Sequence, residues 1–223
     1  MVYRATEKVQ ERKDANRRHI LETAARVFAA NGYHGTTVKE IVDEAGMSVG
    51  SFYFYFKNKE DLFETLYDEI TATILGAIDS VTGDRNLGPA EKATYAIGIT
   101  LGFFQKHREL AGVMLIEAVG LNTSFEQKRA ESVRRLLAPI ENSLEHFDAT
   151  GQISVPDVKV AAVAMEGSIY NIIVSWLHEE TDSELTSYIY PLAVYNLQAL
   201  KAEFNKEEVK AYVERVLAMD HGF

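Results

Sequence analysis

Cysteine is absent from the 223 residues. That absence removes disulfide frameworks, Cys-ligated zinc, thiolate nucleophiles and iron-sulfur clusters together, and it accords with a reducing compartment. No stretch reaches the ~18 consecutive apolar residues of a membrane span. Uncharged runs such as Ala93 to Gln105 and Gly167 to His178 hold 13 and 12 residues and read as buried helix. The opening, MVYRATEKVQERKDANRRH, is charged where a secretory signal needs an apolar core, so a cytoplasmic location is expected. Catalytic signatures are missing too: there is no GxSxG elbow, P-loop, GxGxxG or HExxH, and the six His stand singly at 19, 34, 107, 146, 178 and 221. No catalytic residue, metal or cofactor is expected, and His178-Glu179-Glu180 reads as a polar helix end.

Positive charge is scarce overall but unevenly placed. The net charge is −10, yet residues 1–60 carry ten Lys/Arg against eight Asp/Glu, and residues 61–223 carry thirteen against twenty-five. A basic end on an acidic body marks which end could face a polyanion. Charge alone leaves open that so small an asymmetry means nothing. At 47% hydrophobic and 25% charged residues, the composition is that of a globular protein with a substantial core.

What the chain does have is a period near 3.6 in nearly every segment, which predicts an all-helical fold with short connections. Ile20, Leu21, Ala24, Ala25, Val27 and Phe28 form a stripe that stops at Asn31-Gly32, where Gly takes the left-handed turn. Thr37 and Glu40 form a capping box that opens a short helix with Val38, Ile41, Val42 and Ala45, and Gly46 ends it. Ser48 caps a second short helix through Phe56, and Asn58 caps a long one with an apolar stripe from Leu62 to Ile78. Further helices are expected near 89–107, 109–121, 123–149, 156–179, 184–203 and 205–219. Thr123 with Glu126 and Asn205 with Glu208 are read as capping-box pairs, and Pro139 should kink its helix.

Two short helices joined by a Gly-containing turn and braced by a longer one satisfy a helix-turn-helix, whose second helix must protrude into a major groove. Val38, Ile41, Val42, Val49, Phe52 and Phe56 hold the helices together. Ser48, Gly50, Ser51, Tyr53 and Tyr55 are left facing outward: small residues that allow close approach, and phenols that can bond phosphate or base edges. Lys57 and Lys59 flank them. One of the two tyrosines could instead pack between helices, and Lys39 and Lys57 could be solvated only.

The run from Phe28 through Gly46-Met47-Ser48-Val49-Gly50-Ser51-Phe52-Tyr53-Phe54-Tyr55-Phe56 to Phe63 resembles the DNA-binding domain of the TetR family of bacterial transcriptional regulators, over roughly residues 15–65. The resemblance implies a homodimeric repressor: residues 1–60 form a three-helix DNA-binding domain, and residues 61–223 form a helical domain for effector binding and dimerisation. It implies a near-palindromic double-stranded DNA operator and a small molecule that lowers DNA affinity. Carried over by position, Thr36 and Thr37 would bond phosphate at the start of the first short helix. Ser48, Val49, Gly50, Ser51 and Tyr53 would face the groove, and Tyr55 and Lys59 would meet phosphate, with Lys39 and Lys57 as further basic contacts. Met47, Phe52 and Phe54 depart from the small or aliphatic residues usual in the family, which touches sequence preference and not fold.

The amino-terminal arm, with Arg4, Lys8, Arg12, Lys13, Arg17 and Arg18, admits three readings: along phosphate, into a minor groove, or a frayed solvated extension. The segment near 156–179 is apolar almost all round, so it needs neighbours on every side. With the helix near 184–203 it is the expected homodimer contact, where the resemblance also places it. Tyr95, Phe103, Phe104, Met114, Leu121, Phe125, Met165, Tyr170 and Trp176 could line an apolar effector pocket with Glu117, Asn122 and Asn171 as polar anchors. The segment from Leu115 to Arg129 resembles one in family members that respond to fatty acyl-coenzyme A. That would make Lys128, Arg129, Arg134 and Arg135 candidate anchors for an anionic group, unless they only form salt bridges on a solvated face. The rival reading is a helical lipid or small-molecule binder without sequence-specific DNA binding.

Overall fold

The computed structural model describes residues 2–84, 86–178 and 183–219. They form helices α1 (Val2–Gly35), α2 (Val38–Glu44), α3 (Val49–Tyr55), α4 (Lys59–Thr82), α5 (Pro89–Lys106), α6 (Arg108–Gly112), α7 (Thr123–Ala149), α8 (Val158–His178), α9 (Ile189–Ala199) and α10 (Lys206–Ala218). A π-helical turn, Val113–Glu117, follows α6, and a 3-10 turn, Leu185–Tyr188, precedes α9. No strand occurs among the described residues.

Local signals place most of these boundaries. The Thr37 hydroxyl accepts from the Glu40 N–H at 3.2 Å and the Glu40 carboxylate accepts from the Thr37 N–H at 2.7 Å, which completes the capping box of α2. Ser48 caps α3 by accepting from Ser51 N–H, and Asn58 caps α4 by accepting from Asp61 N–H at 2.7 Å. Gly32 has φ 71 and ψ 170, a backbone state open essentially to Gly alone, and it breaks the helical run of α1.

Four expectations change. The cap of α7 is Asn122, whose side chain accepts from Phe125 N–H at 2.8 Å, and not Thr123. Glu126 instead pairs with Arg129. Asn205 caps α10 through Glu207 N–H at 2.9 Å, at the second helical residue and not the third. The helix expected at 109–121 is α6 followed by the π turn, and the one at 184–203 begins as 3-10. Helix α7 runs on through Pro139, whose missing N–H removes one i→i−4 bond.

The chain forms two compact units. One comprises Met1–Ile70 and Glu109–Phe125, so it takes in the start of α4 and the π turn as well as the residues up to 60. Its core is aromatic: Phe63 packs against Phe28 at 5.1 Å, Tyr33 at 4.9 Å and Phe125 at 5.3 Å between ring centroids. The other comprises Thr71–Arg108 and Glu126–Phe223. Here Leu144, Phe147, Ile153, Ala162 and Leu200 form one buried cluster and Tyr95, Ile99 and Val216 another.

Candidate nucleic-acid interface and effector region

Helix α3 is held on one side by its own apolar residues. Phe52 and Phe56 are buried, four residues apart, so the opposite face must point outward. That face holds Val49, Gly50, Tyr53 and Phe54, with Tyr53 57% and Phe54 64% exposed. A Cβ at Gly50 would meet only the Ser48 hydroxyl at 3.8 Å. Packing does not require glycine there, and its lack of a side chain leaves room for a close external partner. Ser48 and Ser51 hydroxyls lie 3.0 Å apart at the start of the helix.

Phe54 is the member that the sequence alone left unassigned. The signal was present, since the Phe52 and Phe56 spacing that buries those two rings puts residue 54 on the other side. Tyr55, by contrast, is half-buried, and its hydroxyl accepts from the Asn16 side chain at 3.3 Å.

Several expected phosphate contacts have inward partners. Thr36 is 1% exposed and donates to the Gly32 carbonyl at 2.7 Å. The Thr37 hydroxyl and N–H both face the Glu40 carboxylate, so the start of α2 already holds an anion of the chain itself. Thr37 holds that carboxyl below the usual range by hydrogen bonding. The Lys59 ammonium donates to the Tyr33 and Thr36 carbonyls, each at 2.8 Å, and sits 4.3 Å over the Tyr33 ring. Burial lowers its pKa, against the charges of Glu60 and Glu40. Lys39 is exposed and paired with Asp43 at 2.6 Å, while Lys57 is exposed and its backbone N–H donates to Asp61.

The residues expected around an effector divide between the two units. In the first, Met114 and Phe125 are buried core, Leu121 is half-buried and Asn122 is the α7 cap. Glu117 accepts from Tyr33 N–H at 2.9 Å, and a Cβ on Gly32 would fall 2.6 Å from its carboxylate. An open cleft of about 330 Å³ in this unit is lined by Asn58, Glu60, Asp61, Glu64, Asn122 and Ser124, so only Asn122 of the expected set reaches it.

In the second unit Tyr95, Phe103, Phe104 and Trp176 are buried, and Met165 and Tyr170 are half-buried. The Tyr95 hydroxyl donates to Glu91 at 2.9 Å, and Met165 packs on the cluster around Phe147. Asn171 is exposed and donates to the Gly167 carbonyl. The Trp176 indole donates to the Ser183 carbonyl at 2.8 Å, and the Arg108 guanidinium lies 4.0 Å over its ring. No cluster of three or more metal-ligating side chains occurs among the described residues, and Glu179, Glu180 and His221 lie outside them.

The family model for bacterial regulatory proteins of the tetR family matches residues 20–66, the span from the α1 core stripe through α3 into α4. Residues 20–66 thus carry a TetR-family DNA-binding segment. Among relatives of the whole chain, the fatty acid metabolism regulator protein of Bacillus subtilis is 27% identical over 169 residues, covering 75% of this chain and 87% of the relative. The crystal structure of FadR from B. subtilis in complex with stearoyl-CoA superposes with a TM-score of 0.76 at 25% identity, covering 81% of this chain and 97% of that one. FadR from Bacillus halodurans gives a TM-score of 0.77 at 24% identity, covering 84% and 97%, and shows the shared fold. These likenesses support a ligand-responsive DNA-binding regulator, and the relatives themselves are regulators.

Proposed function

We propose that this chain is a homodimeric repressor that reads a near-palindromic operator with α3 and leaves it when an acyl-type small molecule binds. The observation that carries the DNA half is the outward face of α3. Three large apolar or aromatic side chains and a glycine with open space stand in water on a short helix whose other face is locked, which makes sense against a groove. Val49, Gly50, Ser51, Tyr53 and Phe54 would read or fit base edges, with Ser48, Lys39 and Lys57 toward phosphate. Thr36, Thr37, Tyr55 and Lys59 would set the frame of that surface instead of touching phosphate through their side chains.

Dimerisation is proposed at α8 and α9. By length and a mean hydropathy of 1.4, α8 passes as a candidate membrane span, a property that a count of uninterrupted apolar residues does not reveal, and only 17% of that window is buried by the chain. Val160 and Val163 on α8 and Tyr195 on α9 are exposed in the same unit, Val160 at 66%. A second copy covers such a surface in the manner expected of an isologous contact. Two α3 helices would then stand about one turn of DNA apart, ~34–36 Å.

The effector is proposed to be a fatty acyl-coenzyme A. Support comes from the stearoyl-CoA in the FadR structure and from the fatty acid metabolism regulator relative. Phe103, Phe104 and Tyr170 would offer apolar lining, and Lys128, Arg129, Arg134 and Arg135 of α7 would offer cationic anchors.

The test is selection from a random duplex DNA pool at moderate salt, followed by competition with acyl-coenzyme A of graded chain length. An enriched palindrome that a long-chain acyl-coenzyme A displaces is the expected result. Retention of DNA unaffected by every acyl-coenzyme A refutes the effector. A protein stripped of ligand by unfolding and refolding that still enriches nothing refutes the DNA-binding assignment and favours a plain small-molecule binder.

A further inference from the structure

Residues 2–12 lie ahead of the apolar stripe that builds α1 into its core, yet they continue the same helix. Their direction follows from three contacts. The Arg17 guanidinium lies 5.5 Å over the Phe56 ring, the Asn16 amide donates to the Tyr55 hydroxyl at 3.3 Å, and the Lys13 ammonium lies 5.2 Å over the Phe54 ring. Phe56 is 2% exposed and Phe54 64%. From Arg17 back to Lys13, then, α1 passes from the covered side of α3 to its open side, and the helix ahead of Lys13 continues past that side. At about 1.5 Å per residue this stretch reaches roughly 16 Å further.

Within it Lys8 and Arg12 stand four residues apart, one turn along one row. Both are exposed, and neither is in an ion pair among the described residues. Gln10 donates to Asp14 at 3.0 Å.

We infer that this helical arm is a second DNA contact, in which Lys8 and Arg12 bind backbone phosphate flanking the half-site read by α3. The inference rests on the DNA-binding function proposed for α3. A helix about 10–12 Å across does not enter a minor groove about 6 Å wide, so a helical arm lies along the phosphates and does not thread the groove. The contact lengthens the footprint and adds affinity without base readout.

The experiment uses the full chain, the duplex recovered by selection, and the same duplex trimmed to the α3 half-sites. Wild type and a Lys8→Gln/Arg12→Gln variant are titrated on both across a salt series, and circular dichroism verifies that both are equally helical. Two lost phosphate contacts per protomer, at about 0.9 per contact, make the log–log salt slope of a dimer shallower by about 3.6 on the long duplex. The affinity drop between 50 and 200 mM salt then shrinks by roughly 100-fold. On the trimmed duplex the two proteins should bind alike. An unchanged slope, or an equal loss on both duplexes, overturns the arm contact while leaving α3 as the reader. A wild type that binds no duplex at all overturns the function of α3 and the arm contact with it.

Discussion

Replacing Gly32 with Ala tests how the turn between α1 and α2 is held. The φ of 71 and ψ of 170 at this position strain any residue with a Cβ by about 1–3 kcal/mol. The new methyl would also fall 2.6 Å from a Glu117 carboxylate oxygen. That oxygen ends a flexible side chain, so the clash itself is relieved by rotation. Rotation, however, breaks the 2.9 Å bond to Tyr33 N–H. Glu117 is partly in water, so the lost bond is worth about 1 kcal/mol, toward the low end for a charged acceptor. The total is about 2–4 kcal/mol, and at about 2–4 °C per kcal/mol for a chain of this size the midpoint should fall by about 4–16 °C. Thermal or urea unfolding at fixed protein concentration reads it. A double-mutant cycle with Glu117→Ala separates the parts: the backbone strain persists in the Glu117→Ala background, and the component due to the carboxylate disappears. A Gly32→Ala protein within about 0.5 kcal/mol of wild type, or a penalty abolished entirely by Glu117→Ala, refutes the strain assigned to this turn.

Lys59→Met should cost about 1–3 kcal/mol of stability, because it strips the Tyr33 and Thr36 carbonyls of their donor. Its salt slope for DNA should stay within error of wild type, and a slope shallower by about 0.9 per protomer would return Lys59 to phosphate. Gly98→Ala should destabilise by about 1–3 kcal/mol, since its Cβ would run into the Val216 side chain. Urea midpoints should show the combination with Val216→Ala to be less damaging than the two separate losses together; simple additivity would argue against the clash. Burial raises the pKa of Glu166 in α8, so its charge opposes folding at pH values above its folded pKa, and this penalty fades as pH falls through it. Glu166→Gln should therefore stabilise at pH 7.5 and gain less as pH falls through the raised pKa, and an advantage independent of pH would refute the cause.

Signals that act over a few residues were legible in the sequence. The Thr37 and Glu40 box, the Ser48 and Asn58 caps and the stop at Gly32 each join neighbours within four positions, and each stands where it was expected. Asn122 and Thr123 are adjacent residues of good capping types, so composition alone could not choose between them. The π turn escaped because apolar spacing records which residues face inward and not which carbonyl each N–H reaches. Helix α1 was read from its apolar stripe. The charged stretch before it has helix-forming residues but little such stripe, so its helicity went unseen.

Within the DNA-facing region, the outward position of α3 was readable and the partners of its supports were not. Lys59 meets carbonyls 23 and 26 residues away, and Glu117 meets an N–H 84 residues away. A basic or acidic residue beside a recognition helix reads as a ligand contact until the fold shows which backbone groups need it. Phe54 went the other way: aromatic residues are usually counted inward, and it faces water.

Trp176 is the only tryptophan in the chain. Its indole is buried, its N–H is tied to Ser183, and the Arg108 guanidinium covers its ring while donating to the Trp176 carbonyl at 3.0 Å. The protein therefore carries one built-in tryptophan fluorophore, seated where the end of α8 meets the start of α6. Its emission should lie at the blue end while that junction is closed and move red when water reaches the ring. Excited selectively, it watches one place in one unit, and does so without a label.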